Sequence, residues 1–272
     1  MGHPLRPVDH LQPARQRVDA PPPLGPPVSL PDDPGAAPTP SSLPTASPTS
    51  NASSGLLGRR SPHQPPVGLV LAGGRSSRFG SEKALHRWRG APLIQHVLEA
   101  LDEGVAPSAL LVAVGVLEDH PLLIEALQTD PRADRLRPLP DPPDIQGPLA
   151  GLAAGLRAAH GHSDLVMACA CDMPALTPRL LAGLLKIARM TSAPAVAPRV
   201  AGRFEPLCAL YRPAGCLDAL ERYAQTGRRS LQGLLEALPG VRVVDEEELS
   251  AMEPGWRGAL ANINRLDDLE RL

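Results

Sequence analysis

Two rhythms of apolar residues alternate along residues 67–272. Short runs that are apolar throughout, such as 68–71 (GLVL), 109–114 (ALLVAV) and 164–170 (DLVMACA), have the length of strands buried on both faces. Between them the spacing changes to that of amphipathic helices: Leu93, Ile94, Val97, Leu98 and Leu101 within 91–101, beginning near Pro92, then Leu122, Leu123, Ala126 and Leu127 within 118–128. A short strand at 136–139, a helix at 148–160 and a helix from Pro178 with Thr177 as its cap continue the series. This βαβα order predicts a doubly wound α/β fold, a mostly parallel sheet with helices on both faces. The C-terminal third is less regular. Strands at 195–198, 206–211 and 241–244 and helices at 214–223 and 230–238 suggest two antiparallel additions to the sheet, and a last helix should follow Asn262-Ile263-Asn264 with Asp267 and Asp268 in its first turn.

Composition divides the chain. Residues 1–66 hold 17 of the 34 prolines and no aromatic residue, so they read as a disordered extension, and 67–272 as one domain. The extension has no apolar segment of signal-peptide or membrane-spanning type, and the compartment reads as cytoplasmic. A net charge of −2 gives no global field for nucleic acid or an acidic membrane. Cys169, Cys171, Cys208 and Cys216 lack the spacing of a zinc site and read as buried reduced thiols.

In such sheets ligands bind beyond the carboxyl ends of the strands, so the loops there hold the candidate chemistry. After the first strand comes LAGGRSSRFGSEK, from Leu71 to Lys83. Ala72, Gly73 and Gly74 allow a tight turn with outward amides, and Ser76, Arg75, Arg78 and Lys83 add hydroxyl and cationic donors, together a cradle for an anion such as a triphosphate. It is neither a P-loop nor a Rossmann fingerprint, because Gly80 is not followed directly by Lys and the first two glycines are adjacent.

Asp172 follows the strand at 164–170 and precedes Met173-Pro174, a place for a carboxylate that ligates Mg²⁺. Lys83 and Arg78 would neutralise phosphate charge. Gly147 and Pro148, within QGPLAG at 146–151, open a helix where a ligand approaches free N–H groups. Asp141, in the loop after 136–139 that also holds Asp144, is placed to meet a base or ribose or is merely solvated. Asn262 and Asn264, two positions apart, either bond a second polar substrate or cap the last helix.

Together these segments resemble the molybdenum cofactor guanylyltransferase family, part of the nucleotide-diphospho-sugar transferase-like nucleotidyltransferases. The resemblance spans about 67–272 and rests on Leu71-Ala72-Gly73-Gly74, Ser76, Arg78, Gly80 and Lys83, then 147–151 (GPLAG), 171–174 (CDMP), Pro206-Leu207 with Ala209-Leu210-Tyr211, and Asn262-Ile263-Asn264. It implies that the first loop holds GTP, that Asp172 binds Mg²⁺, and that the asparagines lie toward molybdopterin. It further implies transient contact with other proteins of molybdenum cofactor biosynthesis or with acceptor proteins. Three positions depart from the pattern: Phe79 replaces the usual Met, 113–115 (AVG) offers no asparagine near the guanine, and Arg265-Leu266 replaces Thr-Pro. The rival readings are a cytidylyltransferase, where Ala-Ala-Gly usually replaces Ala-Gly-Gly, another small-molecule phosphate nucleotidyltransferase, or a non-catalytic nucleotide-binding protein.

Overall fold

A computed structural model describes residues 64–73, 82–263, 265, 267 and 268. The chain runs β1 (Val67–Leu71), a 3₁₀ turn (Lys83–Leu85), a hairpin of β2 (Arg87–Trp88) and β3 (Ala91–Pro92), α1 (Leu93–Val105) and β4 (Ala109–Gly115). A second 3₁₀ turn (Leu117–Asp119), α2 (Pro121–Gln128), β5 (Leu136–Pro140), α3 (Pro148–Ala159), β6 (Val166–Ala170) and α4 (Pro178–Met190) follow. The C-terminal third holds β7 (Ala195–Val200), β8 (Arg203–Phe204), β9 (Cys208–Tyr211), α5 (Pro213–Gln225), α6 (Leu231–Ala237), β10 (Arg242–Val244), α7 (Glu246–Met252) and α8 (Trp256–Ala259).

The main sheet has the order β10-β7-β9-β6-β1-β4-β5, with β8 paired to β7. β1 lies between β4 and β6, parallel to both, and all five of its residues are buried, as a strand covered on both faces requires. One face is packed by α1, α2, α4, α7 and α8 through residues such as Leu98, Leu184 and Trp256; α3, α5 and α6 cover the other with Leu152, Leu156, Leu220 and Leu234. Two antiparallel strands, β8 and β9, join the sheet in the C-terminal third, as expected. β9 runs antiparallel to both β6 and β7, and β8 antiparallel to β7, but β10 is parallel to β7.

Local chemistry sets the helix boundaries. Pro92 is the N-cap of α1 rather than part of it, and the helix expected over 118–128 breaks into a 3₁₀ turn and α2, with Pro121 in the first turn of the latter. Thr177 caps α4, its Oγ1 accepting from Leu180 N at 3.2 Å. α1 and α4 cross so closely that a Cβ at Gly104 would collide with the Pro178 carbonyl. All four cysteines are buried and free of disulfides. Among the described residues no helix is long and apolar enough to cross a membrane.

Candidate active site

The chain runs outward from β1 to β4 and β5, then returns to β6 on the other side of β1, so the strand order reverses between β1 and β6. An open α/β sheet presents its ligand crevice at such a point. Leu71 pairs with both Ala113 and Ala170, which ends β1, β4 and β6 near one level. The loops are then tied together: Cys171 N donates to Leu71 O at 3.1 Å, and the amides of Ala72 and Gly73 both donate to Ala113 O, at 2.8 and 2.9 Å. These two amides are therefore committed within the protein, contrary to the outward-facing donors expected at the start of the loop. Gly73 is pressed against β4, because a Cβ there would lie 3.0 Å from Gly115 N and Val114 C, closer than most side chains approach a backbone. Gly74, Ser76, Arg75, Arg78, Phe79 and Gly80 lie outside the described residues, as does Asn264.

At the reversal point Lys83 Nζ donates to Asp172 Oδ2 at 2.5 Å, and the two side chains keep only 15% and 21% of their surface exposed. Asp172 does not cap α4, since Thr177 does. Its carbonyl accepts from Ile263 N at 2.9 Å, which lays the segment containing the exposed Asn262 alongside the loop after β6. The lysine of the first loop, the aspartate after β6 and the C-terminal asparagine segment, far apart in sequence, thus converge.

Beside them lies a pocket of about 160 Å³ lined by Leu71, Gly73, Ala113, Asp141, Gly147, Pro148 and Gly151. Gly151 admits α3 against the strands: a Cβ there would stand 3.1 Å from Ala113 Cβ and 3.2 Å from Leu71 Cγ. Gly147 has φ +71, a value that favours glycine, and ends the loop into α3. Asp141 is held by its amide, which donates to Gly115 O at 2.8 Å, while its carboxylate makes no hydrogen bond or ion pair among the described residues. Asp144 does not join it; its carboxylate pairs with Arg157 on α3, with oxygens 3.3 and 3.1 Å from two guanidinium nitrogens, at the protein surface.

Burial pushes the Asp141 carboxyl above its ordinary value of 3.8. A folded-state value raised above the unfolded one makes the folded state bind more protons between the two, so stability falls as pH rises through that window. Asp141→Asn is therefore expected to raise the melting temperature near neutral pH, with the gain vanishing as pH drops below 3.8. Melting curves across this pH range check it.

Glu82 and His120, not singled out by the sequence pattern, also stand here, Glu82 immediately before Lys83 and His120 after β4, with Glu82 Oε1 accepting from His120 Nδ1 at 2.9 Å. An acidic residue directly preceding the loop lysine was the available signal.

A mostly parallel sheet with its crevice at the strand reversal, a lysine–aspartate pair there and a small pocket beside it agree with the class that comparison assigns, a nucleotidyltransferase. Residues 68–243 match the MobA-like NTP transferase domain, and the chain belongs to the molybdenum cofactor guanylyltransferase family. It is 35% identical over 210 residues to the molybdenum cofactor guanylyltransferase of Pseudomonas putida, spanning 74% of this chain and 94% of that protein. A probable molybdenum cofactor guanylyltransferase of Mycobacterium avium is 34% identical over 209 residues, 76% of this chain and 94% of the relative. Among solved structures, molybdopterin-guanine dinucleotide biosynthesis protein A of Archaeoglobus fulgidus aligns with a TM-score of 0.61 at 28% identity, covering 75% of this chain and 95% of that one.

Proposed function

We propose that the protein transfers GMP from Mg²⁺-GTP to the terminal phosphate of molybdopterin, forming the guanine dinucleotide cofactor and pyrophosphate. The observation that carries this reading is the Lys83–Asp172 pair at the strand reversal, adjoining a pocket whose one carboxylate is unpartnered among the described residues. A pocket of about 160 Å³ is smaller than the roughly 300–1,000 Å³ of sites that enclose a whole drug-sized ligand, so it suits a base with the phosphates outside it. Asp141 offers two acceptor oxygens, the complement of the adjacent N1–H and 2-amino donors of guanine, whereas cytosine presents a single donor group, its 4-amino, beside two acceptors.

Among the described residues no group of three or more His, Cys, Asp or Glu is arranged for a metal. Mg²⁺ asks for less: one or two carboxylates, with substrate phosphates and water completing its shell, and Asp172 supplies the hard oxygen that fits. When bound, Mg²⁺ contributes neutralisation of phosphate charge. In this reading Lys83 exchanges Asp172 for a phosphate oxygen when nucleotide enters. Arg78, Ser76 and the glycine loop hold the phosphates, and Asn262 and Asn264 face the acceptor. Direct in-line transfer needs no protein nucleophile. Cys171, next to Asp172, agrees, since burial first and the neighbouring Asp172 charge second push its thiol up to about 12 and keep it protonated.

The test is transfer to molybdopterin with GTP, CTP or ATP as donor. GTP consumption with matching pyrophosphate release is expected; preference for CTP overturns the base assignment, and no consumption of any donor overturns the reaction.

A further inference from the structure

We propose that Glu82 and His120 form a positioning pair that fixes where the Lys83 amine stands, an inference that rests on the reading of Lys83 as a phosphate ligand. Lysine reaches its target through a flexible four-carbon stem, so its placement depends on how firmly the backbone at its base is held. Here that backbone is a three-residue 3₁₀ turn, Lys83–Leu85, of which only Ala84 is buried. Its internal bonds run from Leu85 N to Glu82 O at 2.9 Å and from His86 N to Lys83 O at 3.1 Å, and a third, from Leu93 N to His86 O at 2.8 Å, attaches it to α1.

The side chain of Glu82 supplies the tie on the opposite flank. Nδ1–H of His120 donates to Glu82 Oε1 at 2.9 Å, joining residues 38 apart, and the two side chains are only 19% and 16% exposed for His120 and Glu82. His120 is itself held. Its amide donates to Leu117 O at 3.1 Å, and its carbonyl accepts from Ile124 N at 3.0 Å where α2 begins. The residue before Lys83 is thus anchored to the segment that follows β4, the strand beside β1.

One detail sets this apart from a surface ion pair. Glu82 Oε2 is buried and has no hydrogen-bond partner among the described residues, an unfavourable arrangement that an apolar side chain would avoid. A carboxyl group kept there despite that cost is accounted for by the contact its other oxygen makes with His120.

The experiment measures turnover and GTP dependence for Glu82→Gln and His120→Ala, each alone and in the Lys83→Ala background. A small displacement of a charge-neutralising group lowers turnover steeply, so each single variant is expected to lose about tenfold in kcat with KM for GTP within about twofold. His120→Asn, whose amide donates from nearly the same place as Nδ1–H, should recover most of it. In the Lys83→Ala background neither substitution should reduce the rate further, because the pair acts through that amine. Losses that multiply in both backgrounds, or that follow a lowered melting temperature, overturn the proposal. A readout independent of activity is acetylation of Lys83 by acetic anhydride, followed by mass spectrometry. Glu82→Gln and His120→Ala should quicken it as the amine leaves Asp172. An unchanged rate overturns the positioning role even if the protein proves to transfer no GMP, whereas quickened acetylation without transfer in the parent faults only the assigned reaction.

Discussion

Asp172→Asn is expected to abolish nearly all nucleotidyl transfer, with kcat lowered by roughly a thousandfold and the fold retained. The substitution keeps the shape of the side chain and removes its charge. A carboxylate that holds a metal on the transferring phosphate supports a contribution of several kcal/mol, and about 4 kcal/mol corresponds to a factor of roughly 10³ in rate. The structural cost is small by comparison. The asparagine carbonyl can still accept from Lys83, and the backbone tie of residue 172, the carbonyl accepting from Ile263 N at 2.9 Å, does not involve the side chain. Single-turnover transfer to molybdopterin, alongside a melting curve, separates the two effects. Near-normal turnover with added Mg²⁺ sinks the assignment of Asp172.

Lys83→Ala is expected to lower turnover by about 10²–10³-fold, the usual loss when one preorganised donor to a developing negative charge is removed. Lys83→Arg should restore little, since a planar fork does not sit where a compact ammonium does. The double variant is informative. If both groups act on the same phosphates, the combined loss should fall well short of the product of the two single losses, because once one has gone the other has lost much of its purpose. Full multiplication would place the two side chains in separate roles.

The central strands were legible in the sequence because β1, β4 and β6 are covered on both faces, and a strand in that position has no polar side to interrupt its apolar run. The hairpin of β2 and β3 was not. Its turn sets Arg89 at φ 46 and Gly90 at φ 88, and an arginine in the left-handed region lacks the Asn-Gly signature that announces such turns. α7 was readable but overlooked: Asp245 and Glu248 form a capping box, with Glu248 N donating to Asp245 Oδ1 at 2.9 Å. For the site, the motifs named Lys83, Asp172, Asp141 and Gly147, and the structure gathers them at one edge of the sheet. What local pattern could not show is that Lys83 and Asp172 touch, since 89 residues separate them and only the return of the chain to β6 closes that gap. Nor could it separate Asp141 from Asp144. Both follow β5 in a Pro-Asp loop, and the difference between them is Arg157, in the last turn of α3 and brought to Asp144 only once the helix is folded.

The contact between Gly104 and Pro178 has a mechanical meaning. From Lys83 the chain leads through the hairpin into α1, and from Asp172 it leads through Thr177 into α4; these two arms meet again where Gly104 lets the Pro178 carbonyl in. The 13 residues of α1 span about 20 Å, so the two charges and the crossing form opposite sides of a closed frame braced at both ends. In the proposed reaction the width of the site between Lys83 and Asp172 is then set in part by this helix packing, and a glycine that bears no chemistry helps to fix it.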